Sequence, residues 1–220
     1  MLITLMVAWS GFACAQKPAS QDDTQTQAAP QGFSPGPVDI KSLPKNLFLD
    51  QKNFFTTPFH MNEKQWDWAL PAVLVGAAFI ASDKTLEKHV PTNPTTVSRA
   101  GTASNAGVGV LAGAGAGLFL LGHLQNNDQK RETGLLSGEA AISAFLDTEL
   151  FKYAAGRERP FTGSGTGRFF VSGDSFPSAH ATVSFAIASV IAHEYPGILT
   201  QVLAYGVAGG VGAARWAGQK

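Results

Sequence analysis

A chain of 220 residues suits one domain better than two and leaves ample length for a buried core. Hydrophobic residues make up 45% and charged residues 15%, against roughly 25% charged in ordinary soluble domains, which excludes an intrinsically disordered chain. Sixteen Lys plus Arg balance sixteen Asp plus Glu, leaving no net basic field for nucleic acid, and the lone Cys14 excludes an internal disulfide or a cysteine-built zinc site.

The N-terminus comes first. Leu2 to Trp9 is an apolar core well short of the roughly 20 residues a membrane span needs, and Ala13-Cys14-Ala15 before Gln16 fits a small-residue cleavage site. Residues 1–15 therefore read as an export signal. No Lys or Arg precedes the apolar core, so the signal is incomplete or starts upstream; Gly11 stands where a lipoprotein box has leucine. Residues 16–45 are rich in Gln, Pro, Ser and Thr without apolar periodicity, which predicts a disordered tether. Export places the remainder, residues 46–220, in a bacterial-type cell envelope, periplasmic or membrane-associated, with any site outside the cytoplasm.

From residue 46 the pattern is helical. Asn62 and Gln65 form a capping box for a helix running to about Ser82, with Pro71 placed near its start. A loop through Pro91 and Pro94 precedes an apolar, glycine-rich helix from Ala100 to Asn127. Gly109, Gly113 and Gly117 leave one face of it bare, which predicts close approach of a neighbouring helix there. Asn127 or Asp128 caps a helix that Gly156 stops, with Leu135, Ile142, Phe145, Leu146, Leu150 and Phe151 along one face. Residues 161–176 are loop-like; Pro177-Ser178 opens a helix to about His193, and a final helix runs from Ile198 to Ala214. Two-residue alternation is scarce, so the fold class is all-α, a helical bundle. The apolar helices are consistent with burial either in lipid or inside a larger bundle, and composition leaves both open.

Chemistry concentrates in three places. Lys152 lies one turn before a helix stop and Arg159 just beyond it, so a point charge and a planar fork are placed to meet one anion. The helix dipole alone also favours cations there, and Arg157-Glu158-Arg159 also reads as a solvated charge run. Ser175-Phe176-Pro177-Ser178-Ala179-His180 opens a helix whose free N–H groups and dipole form an anion cradle, with Ser178 as donor and His180 in the first turn; an ordinary cap with an incidental histidine has the same sequence. Arg215 near the end is uninformative alone.

Taken together, Lys152, six intervening residues, Arg159-Pro160, then Pro177-Ser178-Ala179-His180, then Arg215 resemble the signature of the type 2 phosphatidic acid phosphatase superfamily. That group also holds bacterial acid phosphatases and vanadium haloperoxidases. The resemblance covers residues 128–220. It implies hydrolysis of a phosphate monoester through a phosphohistidine, with Lys152, Arg159 and Arg215 binding phosphoryl oxygens, Ser178 and the Ala179 N–H completing the cradle, and His180 protonating the leaving alkoxide. No metal and no cofactor are implied; vanadate enters only if the chain is a haloperoxidase. The implied substrate is a lipid phosphate or isoprenoid diphosphate met at a membrane. The alternatives are a broad-specificity periplasmic acid phosphatase, a vanadium haloperoxidase, or an inactive fragment.

The chain departs from the family pattern at three points. Ala179 replaces a glycine, Ala214 replaces a serine, and the nucleophilic histidine of the third motif falls six positions after Arg215, one past Lys220. Its partner aspartate lies further on still. His60, His89, His123 and His193 match no motif position. The expectation is a chain incompetent for turnover as it stands, with Arg215 frayed and poorly aimed.

Overall fold

The structure, a computed structural model, describes residues 40–81, 89–159 and 167–219. The export signal, residues 16–39 of the tether, Pro160 and Lys220 lie outside the described residues. Among the described residues there are six α-helices and no strand: α1 (Leu43–Thr56), α2 (Glu63–Ala81), α3 (Pro94–Leu124), α4 (Asp128–Ala155), α5 (Ala179–Glu194) and α6 (Ile198–Ala217). The first described residues, from Ile40, are already helical although they lie in the stretch read as tether; Pro44 sits in the first turn of α1, where a missing N–H costs nothing.

The caps follow side-chain chemistry. Asn62 N–H donates to Gln65 Oε1 and Gln65 N–H to Asn62 Oδ1, both at 2.9 Å, the reciprocal box that starts α2. The helix starts three residues before Trp66, so Pro71 falls well inside it rather than near its start. Helix α3 also starts earlier than the sequence reading placed it. Asn93 Oδ1 accepts from Thr95 N–H at 2.9 Å and Pro94 occupies the first turn, a start signal in residues read as loop. Asn127 Oδ1 accepts from Lys130 N–H to start α4, and Gly156, at φ +48°, ends it with its N–H bonded to the Lys152 carbonyl.

Helices α3 to α6 form a four-helix bundle in which each packs against its sequence neighbour and α6 closes back on α3. Helix α1 lies against α4; among the described residues α2 has no extended packing against another helix. The core gathers Leu111, Phe185, Ile187, Ala188, Ala204 and Ala208. Close approach of α3 and α4 runs through other glycines than those expected. A Cβ on Gly134 would strike the backbone of Gly115 and Phe119, and one on Gly122 the backbone of Arg131, whereas Gly109, Gly113 and Gly117 face open space. The bare stripe is the outer face of α3.

The same inversion holds on α4. Ile142, Phe145, Leu146, Leu150 and Phe151, read as its one-sided stripe, are between 41% and 50% exposed, while Thr133, Gly134, Ser137 and Thr148 face the bundle. Apart from Val211, the largest fully buried side chains are Ser and Thr: Ser104, Thr133, Ser137, Thr148 and Ser184. Small hydroxyl residues let helices approach closely, and a hydroxyl can bond the carbonyl four residues back, as Thr133 does to Gln129 and Thr148 to Ala144 at 2.7 Å. Among the described residues one helix, α3, is long and apolar enough to cross a membrane, and little of it is buried.

Candidate active site

Antiparallel packing brings the start of α3, the end of α4, the start of α5 and the end of α6 to one end of the bundle. A Cβ on Gly218 would meet the backbone at Ala100 and Gly101, and Gln219 Nε2 donates to the Pro91 carbonyl at 2.7 Å, fixing the end of α6 beside the start of α3. His123 and His193 lie in the last turns of α3 and α5, at the opposite end.

Lys152 occupies the last turn of α4, where Nζ pairs with Glu149 Oε1 at 2.7 Å. Beyond Gly156 the chain turns into a loop that returns along residues 167–178. Glu158 N–H donates to the Arg168 carbonyl, Phe170 N–H to Ala155, Val171 and Gly173 N–H to Gly156, and Ser175 N–H to Arg157. Arg157 belongs to this loop: Nη1 donates to Ser175 Oγ at 3.3 Å, and its guanidinium lies 5.6 Å from the Phe169 ring centre. Arg159 points elsewhere and forms a bidentate pair with Asp174, Nε to Oδ1 and Nη2 to Oδ2, each 2.7 Å.

Ser178 caps α5, its Oγ accepting from Ala181 N–H, and Ala179 is the first helical residue. The helical backbone at Ala179 leaves its N–H among the unpaired donors of the helix start. His180 follows, half-buried, with Nε2 3.0 Å from Asn105 Oδ1 on α3. Arg215 sits in the last turn of α6, partly buried, its Nε without a hydrogen-bond partner. The helix continues two residues past it, to Ala217.

Electrostatics record how near these groups are. Burial first, then the charges of Arg215 and Lys152, hold the His180 imidazole below its ordinary pKa. Burial and the Arg159 charge likewise lower the pKa of Arg215. Asp174 is held below the usual carboxylate range chiefly by its bond to Arg159, with Lys152 contributing. His180 thus lies in the fields of Arg215 and Lys152, and Arg215 in that of Arg159, with Ser178 and Ala179 adjoining His180 in sequence. Reading the sequence missed Asn105 and Asp174. Asp174 stands four positions before Ser178 and had a local signal; Asn105 is a lone amide in a glycine-rich helix, and nothing in the sequence links it to a histidine 75 positions away.

Residues 133–219 match the family model of the PAP2 superfamily. The match takes in most of α4, the loop, α5 and α6; it supports a PAP2-like superfamily member and agrees with the all-α fold. No curated protein and no solved structure matches the chain.

Proposed function

We propose that the cation cluster binds the phosphoryl group of a phosphate monoester and that the chain is a phosphatase acting on a lipid phosphate or isoprenoid diphosphate. The observation that carries this reading is the gathering of like charges. Lys152, Arg159 and Arg215 are drawn to one end of the bundle beside His180, and the partly buried Arg215 leaves its Nε donor unpaired. These cations repel one another, Glu149 and Asp174 offset only part of that repulsion, and an orphaned buried donor calls for an acceptor. A phosphate dianion answers both requirements, with the free N–H groups at the start of α5 and the Ser178 hydroxyl as further donors.

The chemistry follows from that placement. A histidine nitrogen attacks phosphorus, the ester P–O bond breaks, and the leaving alkoxide takes a proton from His180. Water then attacks phosphorus, giving a proton back to His180 as the P–N bond breaks, and phosphate leaves with the first histidine regenerated. Lys152, Arg159 and Arg215 stabilise the charge on the non-bridging oxygens throughout. Residues 152–215 supply the binding and leaving-group half of that chemistry. This reading needs no metal and no organic cofactor. Exposed apolar side chains on α3, α4 and α6, among them Val110, Leu120, Phe145, Leu150, Val202 and Leu203, support association with a membrane, where a lipid phosphate is met.

Calorimetry on the full chain in detergent, at low ionic strength, tests the reading with inorganic phosphate and with vanadate. Both are expected to bind, and Arg159→Ala and Arg215→Ala are each expected to weaken binding by at least tenfold, the scale of one lost charge-assisted contact. An intact chain that takes up neither anion, or variants that bind as well as it does, would overturn the assignment.

A further inference from the structure

Arg159 is fixed by a carboxylate that is itself fixed. The Asp174 side chain engages the Nε/Nη2 edge of the guanidinium with two 2.7 Å bonds. The backbone on either side of Asp174 is tied down, Gly173 N–H to the Gly156 carbonyl at 3.0 Å and Ser175 N–H to the Arg157 carbonyl at 3.1 Å. Ser175 Oγ lies 3.0 Å and 2.8 Å from the carbonyls of Arg157 and Glu158, fastening the loop to the two residues before Arg159. Gly173 has no room for a Cβ, which would strike the Arg157 carbonyl. The backbone that carries the carboxylate is therefore held against the residues just before Arg159.

We propose that Asp174 is a positioning residue of the anion site: it sets the plane of the Arg159 fork so that a phosphoryl group meets a cation already aimed. The inference rests on the phosphate-binding reading of the cluster. A long flexible arginine loses much freedom when it binds; a carboxylate holding it side-on takes that loss before the ligand arrives. The Nε/Nη2 edge is the one engaged, so Nη1 is turned away from Asp174. The carboxylate also lies in the field of Lys152 and offsets the repulsion among the cations. The rival role is a built-in competitor, a carboxylate standing where phosphate should go; a backbone pinned on both sides argues against it.

Vanadate binding to the full chain in detergent separates these roles, with thermal melting of every variant as control. Asp174→Ala is expected to weaken vanadate binding about tenfold or more, the scale on which loss of a supporting partner weakens a bound site. Asp174→Asn, which keeps an acceptor for the fork, is expected to recover part of that loss. In an Arg159→Lys background, where a point charge has no plane to set, Asp174→Ala is expected to change affinity less than twofold. Tighter or unchanged binding by Asp174→Ala, while Arg159→Ala still weakens it, overturns the positioning role and leaves the phosphate reading standing. An equal loss in both backgrounds means a loop-wide effect and also overturns it. No vanadate binding by the unsubstituted chain, or none lost with Arg159→Ala, removes both readings together. Should Asp174→Ala not fold, Asp174→Asn in the two backgrounds makes the same comparison.

Discussion

His180 on α5 and Asn105 on α3 are joined by a 3.0 Å contact between the ring Nε2 and the amide Oδ1. With the amide oxygen as acceptor, Nε2 carries the proton, and Nδ1 is the position that gains or loses one. Removing the acceptor in Asn105→Leu should free the ring and cost about 1 kcal/mol of stability, the net worth of one such bond. Asn105→Asp should instead raise the His180 pKa, because a carboxylate favours the imidazolium. Nitrogen-correlated NMR of the imidazole reads both effects; a His180 tautomer and titration indifferent to either change would show that Asn105 is a bystander.

The direction of the His180 shift fixes a second outcome. Its pKa lies below the ordinary 6.5, chiefly through burial and then through Arg215 and Lys152. The unfolded chain therefore holds more protons at this position between the lowered value and 6.5, and the contribution to stability falls as pH drops through that window. An anion that offsets Arg215 and Lys152 should reverse the shift, so its binding takes up a proton. Sulfate, which does not titrate in this range, is the probe. Its addition should move the His180 titration upward and strengthen sulfate binding as pH falls below 6.5. A titration midpoint that stays put with saturating sulfate would place the anion elsewhere.

Local chemistry was legible in the sequence; which face points inward was not. The Asn62–Gln65 box, the Asn127 cap, the Gly156 stop and the Ser178 start are short-range signals, and each appears where the residues put it. Periodicity alone assigns an apolar stripe to the core, and that inference failed on α4, where Phe145 and Leu150 are exposed while Thr133 and Thr148 are buried. Packing of α3 against α4 demanded small side chains at the crossing, so the bulky ones were left outside. Lys152, Arg159, Ser178 and His180 could be named as candidates from the sequence because they flank two helix ends and follow the motif order of a known family. Asn105 and Asp174 act through tertiary contacts that spacing does not encode.

The two sets of glycines on the α3–α4 hairpin give a direct contrast. Gly134 lies against the backbone of Gly115 and Phe119, so Gly134→Ala forces the helices apart and should destabilise the bundle by about 1–3 kcal/mol. Gly113 faces open space, and Gly113→Ala should be neutral or stabilising by up to about 1 kcal/mol, the difference in helix propensity. Thermal melting in detergent compares them. A Gly113→Ala variant as damaged as Gly134→Ala would mean that something packs on the outer face of α3.

The contact between α1 and α4 carries a pH dependence of its own. Phe54 and Phe55 bring their rings within 6.1 Å and 6.4 Å of Phe151, and Gln51 Nε2 donates to the Ser143 carbonyl at 3.5 Å. Between the helices lie three carboxyl groups, Asp50 from α1 and Glu139 and Asp147 from α4. Burial raises the pKa of each, and the Asp50 charge adds to the rise at Glu139 and Asp147. A carboxyl group whose pKa is raised by folding favours the folded state most when protonated. Its contribution is complete below the ordinary values, 3.8 for Asp and 4.5 for Glu, and is lost as pH climbs through the raised ones. Docking of α1 should therefore be tighter in mild acid than at neutral pH. Glu139→Gln removes a buried charge and keeps partners for Asn46 and Asp50, so it should tighten docking at pH 7 and flatten the dependence. Hydrogen exchange of the α1 amides, compared between the two proteins at matched pH, reads this directly. Slower exchange in Glu139→Gln at pH 7 with the gap closing toward pH 4 is the expected result; equal exchange at both would mean that the aromatic contacts alone hold α1 in place.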